Sequence, residues 1–166
     1  MPEEFLIRSA RPSDADTLVE FNRAMALETE NRRLDPVILR EGIQTFLRDP
    51  RYGFYTVALH PGVSVHTPIG QLMITYEWSD WRNGLFWWIQ SVYVVPERRG
   101  QGVFRAMHKH ILAMAKADPQ VCGMRLYVEQ ENRRAQTVYQ RVGLTPSVYT
   151  LFEHDFVLGK SITSNR

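Results

Sequence analysis

Arg98-Arg99-Gly100-Gln101-Gly102-Val103 carries the clearest chemical signal in this chain. It sits where an apolar, strand-like run ends and an amphipathic run begins. Glycines at 100 and 102 let the backbone curl so that successive N–H groups point into one concavity. A helix start adds about half a positive charge at that point, which suits a phosphate or pyrophosphate. Arg98, Arg99 and Arg105 supply charge-assisted donors around the same turn. No Gly-Lys-Ser/Thr follows, so this is not a Walker loop. The third glycine and the spacing of the dinucleotide-binding fingerprint are missing too. Taken alone, the segment fits equally well a turn that uses glycines for geometry and arginines for solubility.

Other residues could carry or remove protons. Tyr139 falls on the apolar stripe of its run, a position that by periodicity alone belongs to a core tyrosine. Glu28 and Glu30 stand near the end of an early helical run, where a pair of solvated glutamates is the plain account. All four tryptophans lie between Trp78 and Trp88, with Tyr76, Glu77 and Asp80 among them. Such a cluster is first explained by core packing or a subunit contact; its functional reading is an amine-binding pocket with aromatic walls and an acid. The five histidines show no ligand spacing, since His108 and His110 are two apart on a helical run and point away from each other. One cysteine, Cys122, excludes an internal disulfide and a Cys-cluster zinc site. No metal site is expected.

Periodicity places these residues on elements. Phe5-Leu6-Ile7 reads as a short strand. Ser13-x-x-Asp16 resembles a capping box ahead of a helix carrying Leu18, Phe21 and Met25. Asp35-Pro36 opens a second helix with Leu39, Ile43, Phe46 and Leu47 on one face, and Asp49-Pro50 ends it. Strands follow over Phe54–Leu59, Ile69–Tyr76 and Phe86–Val95, the last after an Asn83-Gly84 turn. A helix spans Val103–Ala117, then a strand Met124–Val128, then a helix Arg133–Val142 with Gly143 after it. Val148–Phe156 alternates enough for a last strand. The order β-α-α-β-β-β-α-β-α-β predicts one α+β domain over residues 5–156 and a C-terminal tail over 157–166.

Composition narrows the partners. Twenty Lys+Arg against eighteen Asp+Glu leave a net charge of +2 over 166 residues, too balanced for a protein whose main partner is nucleic acid or an anionic membrane. The longest apolar stretch, Phe86–Val95, is broken by Gln90 and Ser91 and is far short of a membrane span. The start lacks the basic-then-apolar pattern of a secretory leader, and the lone cysteine agrees with a reducing, cytoplasmic compartment.

Val92-Tyr93-Val94-Val95-Pro96-Glu97-Arg98-Arg99-Gly100-Gln101-Gly102-Val103 resembles motif A of the GNAT N-acetyltransferase superfamily, Gln/Arg-x-x-Gly-x-Gly/Ala after a strand. Asn132-Arg133-Arg134-Ala135, with Tyr139 and Gly143-Leu144, resembles the family's motif B. The resemblance covers nearly the whole chain. It implies a central mixed, mostly antiparallel sheet flanked by about four helices, with acetyl-CoA held between two splayed parallel strands. Carried over by position, the backbone at Val92, Tyr93 and Val94 would bond the pantetheine. The N–H groups of Arg99, Gly100, Gln101, Gly102, Val103, Phe104 and Arg105 would cradle the pyrophosphate. Asn132 would hold the cofactor arm, and Tyr139 would protonate the departing sulfur. Three positions depart from the pattern. Phe104 replaces a small residue, Leu144 a phenylalanine, and Gln90 a carboxylate that often serves as the base. Glu28 is then the first choice for that base, ahead of Glu30, Glu77 and Asp80. The implied activity is acetyl transfer from acetyl-CoA to a primary amine, without a metal, and a homodimer stays open as an assembly. Two other readings are a non-catalytic acyl-CoA-binding domain on the same fold and a phosphate- or nucleic-acid-binding module built on the arginine turn.

Overall fold

Residues 53–59 alternate Tyr55, Val57 and Leu59 against Thr56 and Ala58, and every one of these side chains is buried. A strand buried on both sides needs helices on both faces of its sheet, and that is the arrangement found. The computed structural model describes residues 5–62, 64 and 66–158. Its five strands, β1 (Leu6–Ser9), β2 (Gly53–Leu59), β3 (Gly70–Ser79), β4 (Gly84–Val94) and β5 (Val121–Leu126), form one sheet in that order. The first four pair antiparallel, and β5 pairs parallel to β4. The helices are α1 (Ala15–Glu30), α2 (Pro36–Arg48), α3 (Val103–Ala117) and α4 (Arg133–Arg141).

On one face, Ala58, Leu72, Ile74, Trp87 and Ile89 bury against Val103, Met107, Ile111 and Ala115 of α3. On the other, Tyr55, Val57 and Leu59 bury against Ala15, Leu18 and Val19 of α1 and Ile43 of α2. Adjacent Trp87 and Trp88 divide between the faces as strand geometry requires. Trp87 meets Phe54 edge-on at 5.1 Å in the first core, while Trp88 stacks on Tyr127 at 4.4 Å. Among the described residues no helix is long and apolar enough to cross a membrane.

Helix starts show local chemistry at work. Asp35 accepts hydrogen bonds from Val37 N at 2.8 Å and Ile38 N at 3.2 Å, with Pro36 in the first turn, as the sequence predicts. The Ser13/Asp16 box does not form. Residues Pro12–Asp14 make a 3₁₀ turn that shifts the helix start, and Asp14 takes the capping role by accepting Arg11 N at 2.7 Å. Asp16 instead pairs with Arg40. Val148–Phe156 forms no strand either. Its period of two fixes which side chains share a face but supplies no neighbouring edge to pair with, and Val148, Phe152 and Phe156 stand 93%, 91% and 90% exposed.

Asp14 also receives both guanidinium nitrogens of Arg8, at 2.7 and 3.0 Å, which ties the start of α1 to β1. Burial pushes its carboxyl up. The Arg8 hydrogen bonds, the Arg11 N–H and the Arg8 charge outweigh that and hold it below the usual carboxylate range. Asp14→Ala should therefore lower the unfolding free energy by about 2 kcal/mol in urea at pH 7. That is less than a fully buried pair is worth, because the Arg8 side chain keeps 19% of its surface exposed. With the folded value depressed, this stability is present above the ordinary carboxylate range and is lost as pH falls through the lowered one. The variant should accordingly lose less stability than the parent on acidification, and equal losses would remove Asp14 as the acid-sensitive contact.

Candidate functional site

The site begins with an extra residue in β4. Gln71 pairs with Tyr93 and Met73 with Gln90, so three steps on β4 oppose two on β3. The bulge falls at Ser91, whose φ of 37° is a strained value for a residue with a side chain. Gln71, fully buried, donates Nε2 to Ser91 O at 3.3 Å. The β4–β5 ladder ends just before this point, with Ile89 opposite Leu126. Beyond it, β4 runs on through Gln90–Val94 with no strand on its β5 side among the described residues. The two parallel strands part there, and the backbone of Val92, Tyr93 and Val94 borders the opening.

The loop after β4 closes one end of that opening. Arg98 N bonds Val95 O at 2.9 Å and Arg99 N bonds Pro96 O at 3.2 Å, making a 3₁₀ turn. Gly100 (φ 80°) and Gly102 (φ 91°) then turn the chain into α3 in the left-handed region that favours glycine. A Cβ on Gly100 would meet nothing within 4 Å, and one on Gly102 would meet Arg105 Nη2 at 3.4 Å. The glycines therefore serve backbone shape and access, not packing. None of the N–H groups from Gly100 through Arg105 donates to an acceptor among the described residues, and the helix bonds begin with Ala106 N to Gly102 O. Curled N–H groups at a helix start form a seat for an anion. Phe104, the bulky departure in this motif, turns away from it. Its ring lies 5.9 Å from His108 and 5.6 Å from Tyr139 and packs against the α3-side core.

That edge contact places α4 beside α3 at the site. Burial raises the Tyr139 phenol above the ordinary tyrosine range, so it stays protonated at neutral and mildly basic pH. Asn132 uses Oδ1 to accept Ala135 N at 3.0 Å as the cap of α4, and Gly143 (φ 92°) ends the helix.

On the α1 side, three of the residues singled out from sequence meet. Glu28 accepts from Arg99 Nη2 at 2.7 Å and from the Tyr93 hydroxyl at 3.3 Å. Arg99 also donates Nε to Val94 O at 2.9 Å and lies over the Tyr93 ring at 5.3 Å. Burial, then the Glu28 charge, push the Tyr93 phenol up, which keeps it a donor to that carboxylate. The other acids stand in different company. Glu30 pairs with Arg32 at 3.5 Å. Glu77 holds the Trp88 indole N–H and Arg125, beside a recess of about 260 Å³ that Asp80 also lines. Gln90 donates to Thr75 Oγ1 at 3.3 Å and is no base. Sequence reasoning missed Gln71 and Ser91, for which no local signal exists, and Arg125, which follows from nothing in its own segment.

The sequence model described as the acetyltransferase (GNAT) family matches residues 16–144. A structure of "a possible acetyltransferase" from Clostridium difficile 630 is 40% identical over 92% of this chain and 98% of its own, with a TM-score of 0.84. A "predicted acetyltransferase with acetyl-CoA" from Clostridium acetobutylicum aligns over 91% and 96% at 17% identity, TM-score 0.71. A "transcriptional regulator" from Bacillus halodurans C-125 aligns over 92% and 100% at 19% identity, TM-score 0.77. The last two likenesses are of fold alone. Among curated proteins, none matches this chain.

Proposed function

The chain belongs to the GNAT acetyltransferase family, and on that premise we propose that it transfers the acetyl group of acetyl-CoA to a primary amine by direct attack. The observation that carries this reading is the opening between β4 and β5, which ends at the free N–H groups of Gly100–Arg105. An extended amide chain fits along a strand with unpaired backbone, and a pyrophosphate fits the N–H seat at its end. Asn132, at the head of α4, lies on the element that borders the arm of such a substrate. The solved relative from Clostridium acetobutylicum that carries acetyl-CoA lends the same support at the level of fold.

The chemistry assigns roles to the side chains around the opening. An alkylammonium has a pKa near 10.4, so the acceptor must lose a proton before its nitrogen attacks the thioester carbon. Glu28, at the mouth of the opening, takes that proton. As the new C–N bond forms, negative charge grows on the carbonyl oxygen, where a fixed N–H of β4 stabilises it. The C–S bond then breaks and the departing thiolate takes its proton from Tyr139, whose buried phenol is protonated at working pH. The acylated nitrogen gives up its remaining extra proton, which restores the Tyr139 phenol, Glu28 returns the first proton to solvent, and a neutral amide and CoA leave.

Gly102→Asp sets a carboxylate against the N–H seat and should weaken acetyl-CoA binding by more than about tenfold, since an opposed charge replaces a favourable one. Calorimetry that finds unchanged affinity would dissolve the assignment of this loop. Release of CoA, followed over a panel of amines, then tests the transfer itself. Saturable acetyl-CoA binding with no acceptor turned over would leave only a binding domain.

Tyr139→Phe keeps the ring against Phe104, so the fold should survive while turnover drops on the order of 10²-fold. Parent-like turnover, with chemistry established as rate-limiting by pre-steady-state measurement, would return Tyr139 to a packing role.

Glu28→Gln should cut turnover more at pH 7 than at pH 9, because more of the amine is already neutral at the higher pH and needs no base. A pH–rate profile gives the answer. Equal losses at both values assign Glu28 to holding Arg99 and Tyr93, and no loss removes it from the reaction.

A further inference from the structure

Of the three arginines at the glycine turn, Arg99 alone is paired with a carboxylate among the described residues. Arg98 reaches only Gln101, at 3.4 Å, and Arg105 flanks Gly102. Arg99 instead crosses to the end of α1, where Nη2 donates to Glu28 Oε2 at 2.7 Å. On the way its Nε donates to Val94 O at 2.9 Å.

Strand alternation decides which side of β4 that carbonyl faces. Val95 N bonds Ile69 O at 3.0 Å, so residue 95 turns its N–H toward β3. Residue 94 then turns its own N–H and C=O the other way, into the opening where β4 and β5 part. Arg99 Nε therefore stands where a neighbouring strand, or an extended amide chain seated along β4, would place an N–H. The guanidinium shares one small region with the backbone edge that the opening offers and with the carboxylate assigned as the base.

The contact is of a kind that can change partners. The Arg99 and Glu28 side chains keep 35% and 41% of their surface exposed, and a pair so wet is weak. The N–H seat begins one residue further on, at Gly100. A pyrophosphate held there offers the guanidinium a charge-assisted partner in place of Glu28. Such a swap exchanges one ion pair for another and leaves no bare cation behind. Glu28 would keep the Tyr93 hydroxyl on Oε1, at 3.3 Å, while Oε2 loses its guanidinium.

We propose that Arg99 is a latch with two sets of partners. In one, seen here, it caps the Val94 carbonyl and covers Glu28. In the other, acetyl-CoA seated along β4 takes that carbonyl and its pyrophosphate takes the guanidinium, which uncovers Glu28 for the acceptor amine. Loading the donor and freeing the base are then a single event. The latch rests on the reading of the opening as an acetyl-CoA site.

Calorimetry with CoA tests it through a double-mutant cycle. Glu28→Gln removes the charge that holds the latch and should raise CoA affinity by about fivefold, the range of a partly exposed ion pair. In an Arg99→Met background the same change should move the affinity by less than about twofold. Both side chains are partly exposed, so the circular dichroism spectrum and thermal midpoint should stay close to those of the parent. Simple repulsion between Glu28 and the phosphates would raise affinity equally in both backgrounds, and that outcome overturns the latch. Unchanged CoA affinity in Glu28→Gln alone overturns it as well. In the free protein the Arg99 Nε–H resonance, identified by its loss in Arg99→Met, should exchange slowly with water, and fast exchange removes the contact with Val94 O on which the latch depends. A parent that binds no CoA takes down the acetyl-CoA reading and the latch together, whereas CoA binding without the coupling takes down the latch alone.

Discussion

The candidate site depends on one added residue in β4. With the bulge at Ser91, the strand keeps its ladder with β3 but changes direction where its ladder with β5 runs out. Without it, β4 and β5 would continue as an ordinary parallel pair, the backbone of Val92–Val94 would be consumed in that pair, and no opening would exist. The positive φ at Ser91 costs on the order of 1–3 kcal/mol. It persists because the fully buried Gln71 bonds the bulged carbonyl from the neighbouring strand. Two residues with no chemistry of their own, one of them fully buried, thus set the geometry on which the reactive ones rely.

Helix α1 carries the second constraint. Its start is held to β1 by the Arg8–Asp14 pair, and its end is held to β4 and the following loop by Glu28, Tyr93 and Arg99. The two ties differ in kind. The first is nearly buried and contributes stability. The second is partly exposed, and a pair of that sort is worth about 1 kcal/mol or less. Its consequence is positional, because it puts a carboxylate, a phenol and a guanidinium together where the strand opening and the glycine loop meet. One residue of that group, Arg99, touches both sides, bonding the Val94 carbonyl and the Glu28 carboxylate at once.

The α3 face shows how a departure from a family pattern is absorbed. A phenylalanine at position 104 would crowd an anion seat if its side chain followed the loop. It lies one residue into α3, and helical geometry sweeps it round to Tyr139 and His108, away from the N–H groups. Tyr139 meets the Phe104 ring edge-on, and its burial raises the phenol above the ordinary tyrosine range. The substitution that narrows the motif therefore also shapes the environment of the residue assigned as proton donor.

Elements whose signals are local are legible in the chain alone. Asp35-Pro36, Asn83-Gly84 and Gly143 act through their own backbone angles and hydrogen bonds, and helix α3 follows from an apolar stripe repeated every three or four residues. The glycine loop was legible for the same reason, since two glycines and three arginines at a strand-to-helix turn have few uses. Tertiary structure decided everything that depends on distant partners. Asp14 displaced Ser13 as the cap because Arg8 on another element reaches it. Ser91 bulges because Gln71, twenty residues away, takes its carbonyl. Glu28, Tyr93 and Arg99 are far apart in the chain and meet only when α1 crosses the end of β4. Val148–Phe156 has a strand's alternation and no strand, because period two specifies the faces of a segment while an edge to pair with must come from elsewhere in space.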